Sequence, residues 1–454
     1  MSHKLFPFLM AGLFLLSGCA PNTNVTQPDR PPVSDSSGSL SGNDVPQEAL
    51  PDDTQIYDYT VAASLDMVTR GSGNENGFYQ VIPNENGYAN LFYTDYATAS
   101  RVYLCGAPNC AHNTGTCTSY IESDGFSVFP AVYKDRLFLV YSSYNSWSAE
   151  AAPSRVECMD VNGENRRTLY TFGSGITLNE GAIVGNNEIV LSGYQIVESN
   201  GSVQSVPFIG AIGMDSGTYR EIYSLPDTAG QTNLFLRGVS DTGFILKTIS
   251  MDDAASSDSQ SRIFELSFDG KTETDLLTFS GNSCFEEHNG QELVYLRYDA
   301  QGVSLYKRSR QSEQEEQVAE NVCDLACVRK SELPYDSDNL FIVGFAGNCV
   351  LLNHLYDNRY DENGNIALYY TQYAVDLTDG SAKEITLYNN TMATQKPLAI
   401  ITKFDDSLLV DAKEEVVDGI AYRRPGIVSV EDYLNSNPAY TMIQSPIDEH
   451  LRLF

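Results

Sequence analysis

The stretch Ile263-Phe-Glu-Leu-Ser-Phe-Asp-Gly270, followed by Leu276-Leu-Thr-Phe279, shows the pattern that decides the fold. Apolar and polar residues alternate in the first run, an Asp-Gly pair follows, and a second run of β-forming residues comes after it. Alternation with a period of two is typical of a half-buried strand, and a turn pair between two such runs predicts a β-hairpin. The stretch therefore predicts two antiparallel strands joined by a tight turn.

The same unit recurs along the chain at intervals of roughly 40–70 residues, while helical periodicity is nearly absent. Four-stranded β-propeller blades repeat at intervals of this size, and closing the ring protects strand edges that a flat sheet would expose. We therefore predict an all-β fold, a β-propeller with seven four-stranded blades. Six or eight blades also fit the spacing, and a two-domain sandwich is the rival architecture. The other units are Asn90–Asp95 with Arg101–Leu104, Val156–Asp160 with Arg167–Phe172, Ala211–Asp215 with Glu221–Leu225, Ser304–Lys307, Tyr373–Asp376 with Ile385–Tyr388, and Gly426–Val430.

This strand–turn–strand signature, with Asp and Gly in the turn, resembles that of periplasmic and cell-surface β-propellers. The resemblance extends over most of residues 57–446 and implies the architecture. It implies no activity, because one fold of this kind carries many unrelated functions.

The first residues of the chain predict export and lipidation. Lys4 provides a short positive region, and the apolar run Leu5–Leu16 is too short to span a bilayer comfortably. The run ends in Leu16-Ser17-Gly18-Cys19, which resembles the lipobox of bacterial lipoproteins. That resemblance implies that Cys19 is diacylated and becomes the new N-terminus; an ordinary secretory signal with a chance cysteine is the alternative.

Three segments follow from this interpretation: a signal peptide over residues 1–18, a lipidated Cys19 with a disordered tether over 19–56, and a β-propeller domain over 57–454. The tether is rich in Pro, Ser, Asn, Asp and Gly and has too few apolar residues to form a core. A flexible coil of this length spans roughly 30–35 Å, which holds a domain off the membrane without fixing its orientation.

The charge of the chain limits its partners. The formal net charge is −32 at pH 7, so nucleic acid and anionic lipid surfaces are poor partners. We predict a protein held at the extracytoplasmic face of the cell membrane by its lipid anchor. Its expected partners are the membrane, through the anchor, and a protein or glycan of the cell envelope.

The segment Cys105-Gly-Ala-Pro-Asn-Cys110-Ala-His112-Asn-Thr-Gly-Thr-Cys117 is where reactive side chains crowd together. Cys105, Cys110, His112 and Cys117 make a Cys₃His set, which is complete for tetrahedral structural zinc. The spacing is unusual, because common zinc loops begin with Cys-x₂-Cys. A disulfide between Cys105 and either Cys110 or Cys117 is the alternative in an exported protein. The segment resembles cysteine–histidine stretches in lipoproteins of Gram-positive bacteria, and this resemblance supports lipidation without implying an activity.

The propeller topology also predicts a binding face. The loops between the second and third strands of each blade share one face with the links to the next blade, and the longer, acidic and tyrosine-bearing loops fall in this class. We predict that this face binds the envelope protein or glycan; an envelope polysaccharide hydrolase or lyase that uses paired carboxylates is the alternative function. Binding is favoured because the sequence lacks a set of convergent catalytic residues. The predicted binding residues are Tyr144, Trp147, Asp252, Asp253, Asp299, Asp357, Tyr360 and Asp361.

Overall fold

The computed structural model describes residues 57–451, except for several gaps. Cys19 and the rest of residues 1–56 therefore lie outside the described residues. Within the described ranges, no helix has the length and apolar composition needed to cross a membrane. The gaps are residues 64–70, 85, 124, 126, 144–151, 200–201, 226–231, 251–259, 281–283, 289–291, 300–301, 311, 313, 334, 336–338, 361–365, 390–394, 418–419 and 448.

Seven small antiparallel sheets are arranged in a ring, which is the architecture of a seven-bladed β-propeller and confirms the predicted fold. A strand that precedes the blades is β1 (Thr60–Ala63). Blade 1 contains β2 (Gly71–Gly73), β3 (Gly77–Pro83), β4 (Ala89–Asp95), β5 (Ser100–Tyr103) and β6 (Tyr120–Ile121), which pairs with β4. Blade 2 contains β7 (Val128–Tyr133), β8 (Arg136–Tyr141), β9 (Arg155–Asp160) and β10 (Arg167–Thr171). Blade 3 contains β11 (Ile176–Leu178), β12 (Ala182–Gly185), β13 (Glu188–Ser199), β14 (Ser202–Gly213) and β15 (Tyr219–Ser224).

The remaining four blades follow the same plan. Blade 4 contains β16 (Thr232–Val239), β17 (Gly243–Ser250), β18 (Gln260–Ser267) and β19 (Glu273–Ser280). Blade 5 contains β20 (Cys284–His288), β21 (Glu292–Asp299), β22 (Gly302–Ser309) and β23 (Glu315–Ala319), followed by a 3₁₀ turn (Val322–Asp324). Blade 6 contains β24 (Leu340–Ala346), β25 (Cys349–Tyr360), β26 (Ile366–Asp376) and β27 (Ala382–Ile385); β28 (Tyr388–Asn389) and β29 (Lys396–Pro397) pair in its link to the next blade. Blade 7 contains β30 (Ile400–Phe404), β31 (Ser407–Val417), β32 (Ile420–Ser429), helix α1 (Val430–Leu434), β33 (Thr441–Met442) and β34 (Glu449–Leu451).

The hairpin glycines explain why the strand–turn–strand signature recurs. Gly270 has a φ of +75°, which L side chains rarely adopt, and a Cβ there would lie 2.1 Å from the carbonyl oxygen of Ile222 in the preceding blade. The turn between the third and fourth strands therefore has to carry glycine to let consecutive blades approach closely. The equivalent pairs are Gly163 with Leu104, Gly217 with Leu169, and Gly380 with Val318.

A buried apolar cluster fills each of the seven spaces between neighbouring blades in the described part of the chain. The cluster between blades 7 and 1 contains Phe78, Leu409 and Ile443, and the rings of Tyr96 and Phe404 stack there with centroids 3.6 Å apart. The backbone also links blade 1 to blade 7, because Arg101 N donates to Gln444 O at 2.7 Å. These contacts close the ring.

Strand β1 lies on the inner side of blade 3. It pairs antiparallel with β12 and also contacts β2, β7 and β16, the first strands of blades 1, 2 and 4. First strands of consecutive blades contact one another, so these strands line the centre of the ring. Ala62 and Ala63 are buried against this wall, and the ring of Tyr59 packs on Phe244 and Phe268. Residues 59–63 therefore fill this part of the central channel of the ring.

The end of the last unit differs from the prediction. The strand expected over Gly426–Val430 ends at Ser429, and Val430 begins the short helix α1. Ser429 is the N-cap, since its side chain accepts a hydrogen bond from Asp432 N at 3.0 Å. Two acidic residues in the first turn, Glu431 and Asp432, suit the positive end of the helix. Local capping therefore ends the strand one residue early.

Candidate metal centre

The predicted Cys₃His residues lie in the link from blade 1 to blade 2, between β5 and β6. Both ends of the link are held by the same strand, because Leu104 N donates to Leu91 O at 2.9 Å and Leu91 N donates to Ser119 O at 2.8 Å. The fourteen residues between these anchors form turns without regular secondary structure. The link therefore returns on itself beside β4.

The link brings all four predicted ligands together. The Sγ atoms of Cys105, Cys110 and Cys117 and a ring nitrogen of His112 lie within 4.8 Å of one another, and the cysteines are free thiols. His112 Nδ1 lies 3.3 Å from Cys117 Sγ. Ligands of tetrahedral zinc, with Zn–S and Zn–N bonds of about 2.3 and 2.0 Å, are about 3.5–3.8 Å apart. This cluster, hereafter the Cys₃His cluster, could bind a metal ion with small side-chain movements.

Backbone conformation and packing orient the histidine. Asn109 and His112 have φ angles of +58° and +55°, which non-glycine residues seldom adopt. The imidazole stacks on the Tyr103 ring, with centroids 4.0 Å apart and planes 10° from parallel, and Asn90 Nδ2 donates to His112 O at 2.8 Å. Because the ring and the backbone are both held, Nδ1 stays directed at the sulfur atoms.

The pKa values of two thiols of the cluster, Cys105 and Cys117, are shifted in opposite directions. Burial raises the pKa of Cys117, whose sulfur also contacts Ser119 Oγ at 3.1 Å. Burial would raise the pKa of Cys105 as well, but hydrogen bonds from the Ala107 backbone and from neighbouring side chains outweigh it and lower that pKa. A bound cation would favour the thiolate form of all three.

A charged network that the sequence did not reveal lies next to the cluster. Glu157 accepts hydrogen bonds from Arg155 Nε at 2.9 Å and from Arg166 Nε at 2.8 Å. Burial alone would raise the pKa of Glu157, but the arginines, Arg166 foremost, lower it, so the carboxylate is ionised; burial raises the pKa of the adjacent Tyr141 to about 12. The only sequence signal is that residues 155 and 157 share one face of a strand, whereas Arg166 lies beyond the following turn.

Three of the predicted binding residues lie in described regions, in blades 5 and 6. Asp299 accepts a hydrogen bond from Gly302 N at 3.1 Å, so it supports its own hairpin. Asp357 is paired with Arg359, while Tyr360 is 58% exposed at the end of β25. Of these three residues, Asp299 and Tyr360 are exposed. The other predicted residues, Tyr144, Trp147, Asp252, Asp253 and Asp361, lie outside the described residues.

No protein-family model and no curated protein matches the chain. Several solved structures are similar at low sequence identity. An oligogalacturonate lyase in complex with manganese is 12% identical, covers 80% of this chain and 89% of its own, and has a TM-score of 0.42. TolB from Acinetobacter baumannii is 11% identical, with 82% and 80% coverage and a TM-score of 0.33. A prolyl endopeptidase is 12% identical, with 86% and 48% coverage and a TM-score of 0.46.

Proposed function

We propose that this protein is a lipid-anchored, extracytoplasmic β-propeller that recognises an envelope protein or glycan through its loop face. By loop face we mean the links between blades and the loops between second and third strands. The Cys₃His cluster holds structural zinc at this face. The proposal rests mainly on four metal-ligand atoms within 4.8 Å of one another in one of these links.

The donor set supports zinc over a disulfide. A disulfide would use two of the three sulfur atoms and leave the third, together with His112, close by without a role. Zinc uses all four ligands, and a Cys₃His set closes the coordination shell, which is typical of structural rather than catalytic sites. The link otherwise depends on turns and a few hydrogen bonds, so a metal ion would fix its shape. A rigid link is what a recognition surface requires.

The surroundings of the charged groups support binding, rather than catalysis, as the function of the loop face. In the described part of the loop face, Glu157 is paired with two arginines and Asp357 with Arg359. A general acid or base needs a pKa near the working pH, whereas the arginines beside Glu157 keep its pKa low. The inner side of blade 3 is covered by β1, which fills part of the channel. These features favour a surface that binds a partner over one that catalyses a reaction.

One set of variants of the full chain tests both parts of the proposal. We expect the chain to contain one equivalent of zinc, C110S to lose the metal, and C349S, which alters a cysteine at the start of β25, to keep it. We expect W147A to keep zinc but to lose binding to an isolated envelope fraction, and K271Q, in a hairpin on the opposite face, to keep both. The measurements are metal analysis and co-sedimentation.

Two results would contradict the proposal. A C110S chain with the same zinc content as C349S would show that the cluster does not hold the metal. Equal co-sedimentation of W147A, K271Q and the unaltered chain would show that the loop face does not bind the envelope.

A further inference from the structure

A cleft beside the Cys₃His cluster has the composition of a ligand site. It lies between the blade 1 to blade 2 link and blade 2, and its volume is about 280 Å³. One wall of the cleft therefore belongs to the link that carries the metal ligands, and the other wall belongs to the sheet of blade 2. The residues that line it include Cys117 and Tyr120 from the link side and Tyr141, Arg155, Glu157 and Arg166 from blade 2. We call it the Arg155 cleft.

The cleft is lined by two guanidinium groups, those of Arg155 and Arg166, and by two carboxylates, those of Glu122 and Glu157. Arg166 uses all three of its side-chain nitrogens, on Glu157, on Tyr120 O at 2.7 Å and on the Tyr141 hydroxyl at 2.5 Å. Arg155 shares the same carboxylate, but only through Nε. Among the described residues, its two Nη atoms have no hydrogen-bond partner, and the side chain is 27% exposed. Arg155 thus keeps the outer edge of its guanidinium group available to a ligand.

The position of Arg155 is fixed before any ligand binds. Its guanidinium carbon lies 3.6 Å from the centroid of the Tyr141 ring, and its Nε is held by Glu157. A guanidinium that is stacked on a ring loses little freedom when a ligand binds. Its two outer nitrogens form a planar fork that matches the two oxygens of a carboxylate. The cleft is therefore arranged in advance for a carboxylate.

We infer that the Arg155 cleft binds an acidic sugar residue of an envelope glycan through its carboxylate. This inference rests on the function proposed above and names the ligand class. The volume is at the small end for ligand pockets and suits one sugar ring rather than a folded partner. Tyrosine and threonine side chains around the cleft supply hydroxyl groups and flat apolar surface for such a ring. The carboxylate of the sugar would accept hydrogen bonds from the two Nη atoms of Arg155.

The test uses the zinc-loaded full chain, with D-glucuronate as the probe and isothermal titration calorimetry as the measurement. D-glucose lacks the carboxylate, and inorganic phosphate lacks the sugar ring, so we expect both to bind at least tenfold more weakly than glucuronate. R155Q is expected to weaken glucuronate binding at least tenfold. The matched control is R220Q, which removes the same charge from a pair with Glu188 in blade 3 and should leave the affinity unchanged.

A second measurement needs no variant. Phenylglyoxal modifies accessible arginines, and mass spectrometry locates the modified positions. We expect glucuronate to slow modification of Arg155 at least fivefold, and not that of Arg220, in the unaltered chain.

Three results would overturn the inference: equal affinity for glucuronate and glucose, equal affinities of R155Q and R220Q, or unchanged modification of Arg155. If the chain still binds zinc and the envelope when one of these results is found, only the inference about the Arg155 cleft fails. The proposed function then stands. Loss of envelope binding in W147A, together with normal glucuronate binding, would support both proposals separately.

Discussion

At the residue scale, His354 is the buried titratable group whose environment is easiest to interpret. It is fully buried in β25, and its ring lies between Tyr335 and Tyr373, with centroids 5.3 and 6.4 Å away. Among the described residues, neither ring nitrogen has a hydrogen-bond partner. Burial, with a smaller contribution from Arg329, lowers the pKa of His354 to about 4. The native protein therefore holds this histidine neutral.

A pH-dependent loss of stability follows. In the unfolded chain the pKa returns to 6.5, so between pH 6.5 and 4 the unfolded state binds a proton that the native state excludes. The contribution of neutral His354 is fully present above pH 6.5 and is lost as the pH falls toward 4. We expect the free energy of unfolding of the unaltered chain to fall, relative to H354F, by about 3 kcal/mol between pH 7 and 4.

Urea unfolding of both proteins at several pH values makes this measurement. Burial raises the pKa of Asp411 to about 6, so this group titrates in the same range with the opposite sign, but it is present in both proteins and cancels in the difference. Parallel pH profiles for the two proteins would show that His354 does not exclude the proton.

At the element scale, the hairpin between the third and fourth strands is the unit that joins one blade to the next. Gly270 illustrates its role, because it combines a φ of +75° with close approach to the carbonyl oxygen of Ile222. The hairpin is thus a packing surface as well as a turn. Aspartate contributes at the same place: Asp269 accepts a hydrogen bond from Lys271 N, which tightens the turn.

Alanine at position 270 tests this role. We expect G270A to lower the free energy of unfolding by about 1–3 kcal/mol, because the new Cβ meets backbone and the φ angle is strained. G173A is the matched control, since a Cβ at Gly173 meets nothing within 4 Å and its φ is not in the left-handed region; we expect it to be near neutral. Chemical denaturation measures both. Similar losses for the two variants would mean that the contact with the preceding blade contributes nothing.

At the scale of the whole molecule, stability depends on closing the ring. Each blade is packed against two neighbours, and the cluster between blades 7 and 1 joins residues from opposite ends of the domain, among them Phe78 and Leu409. Buried charges meet at the same interface: Asp411 is paired with Arg423 at 2.9 Å. Burial lowers the pKa of the Arg101 side chain of blade 1 to about 10, while Asp411 attracts this side chain and Arg423 repels it. This interface therefore resembles the other six in packing, but it joins the last blade to the first.

Cooperative unfolding of the ring is the expected consequence. F78A, at the closing interface, and F244A, between blades 3 and 4, each remove a buried phenylalanine ring, and we expect each to cost about 3–5 kcal/mol. Both should shift one transition seen alike by far-ultraviolet circular dichroism and by the fluorescence of the single tryptophan, Trp147. Separate transitions in F78A would show that the blades near the closure unfold independently.

Local patterns in the sequence were sufficient to predict the blades and a Cys/His cluster that could bind a metal ion. Hairpins such as Ile263–Phe279 join residues that are close along the chain, and their alternation and turn residues act over those short distances. The same holds for Cys105, Cys110, His112 and Cys117, which a thirteen-residue link brings together. The export signal and the acylation of Cys19 also rest on local sequence and remain predictions.

The tertiary structure alone decided the rest. Arg166 donates to Tyr120 O, 46 residues earlier in the link from another blade, and β1 lies where the first strands of four blades meet. The buried ring of His354 contacts Tyr335, in the link before blade 6, and Tyr373, in the neighbouring strand. Such contacts join residues far apart in the sequence, and their energies depend on the closed ring, which no short stretch of sequence encodes.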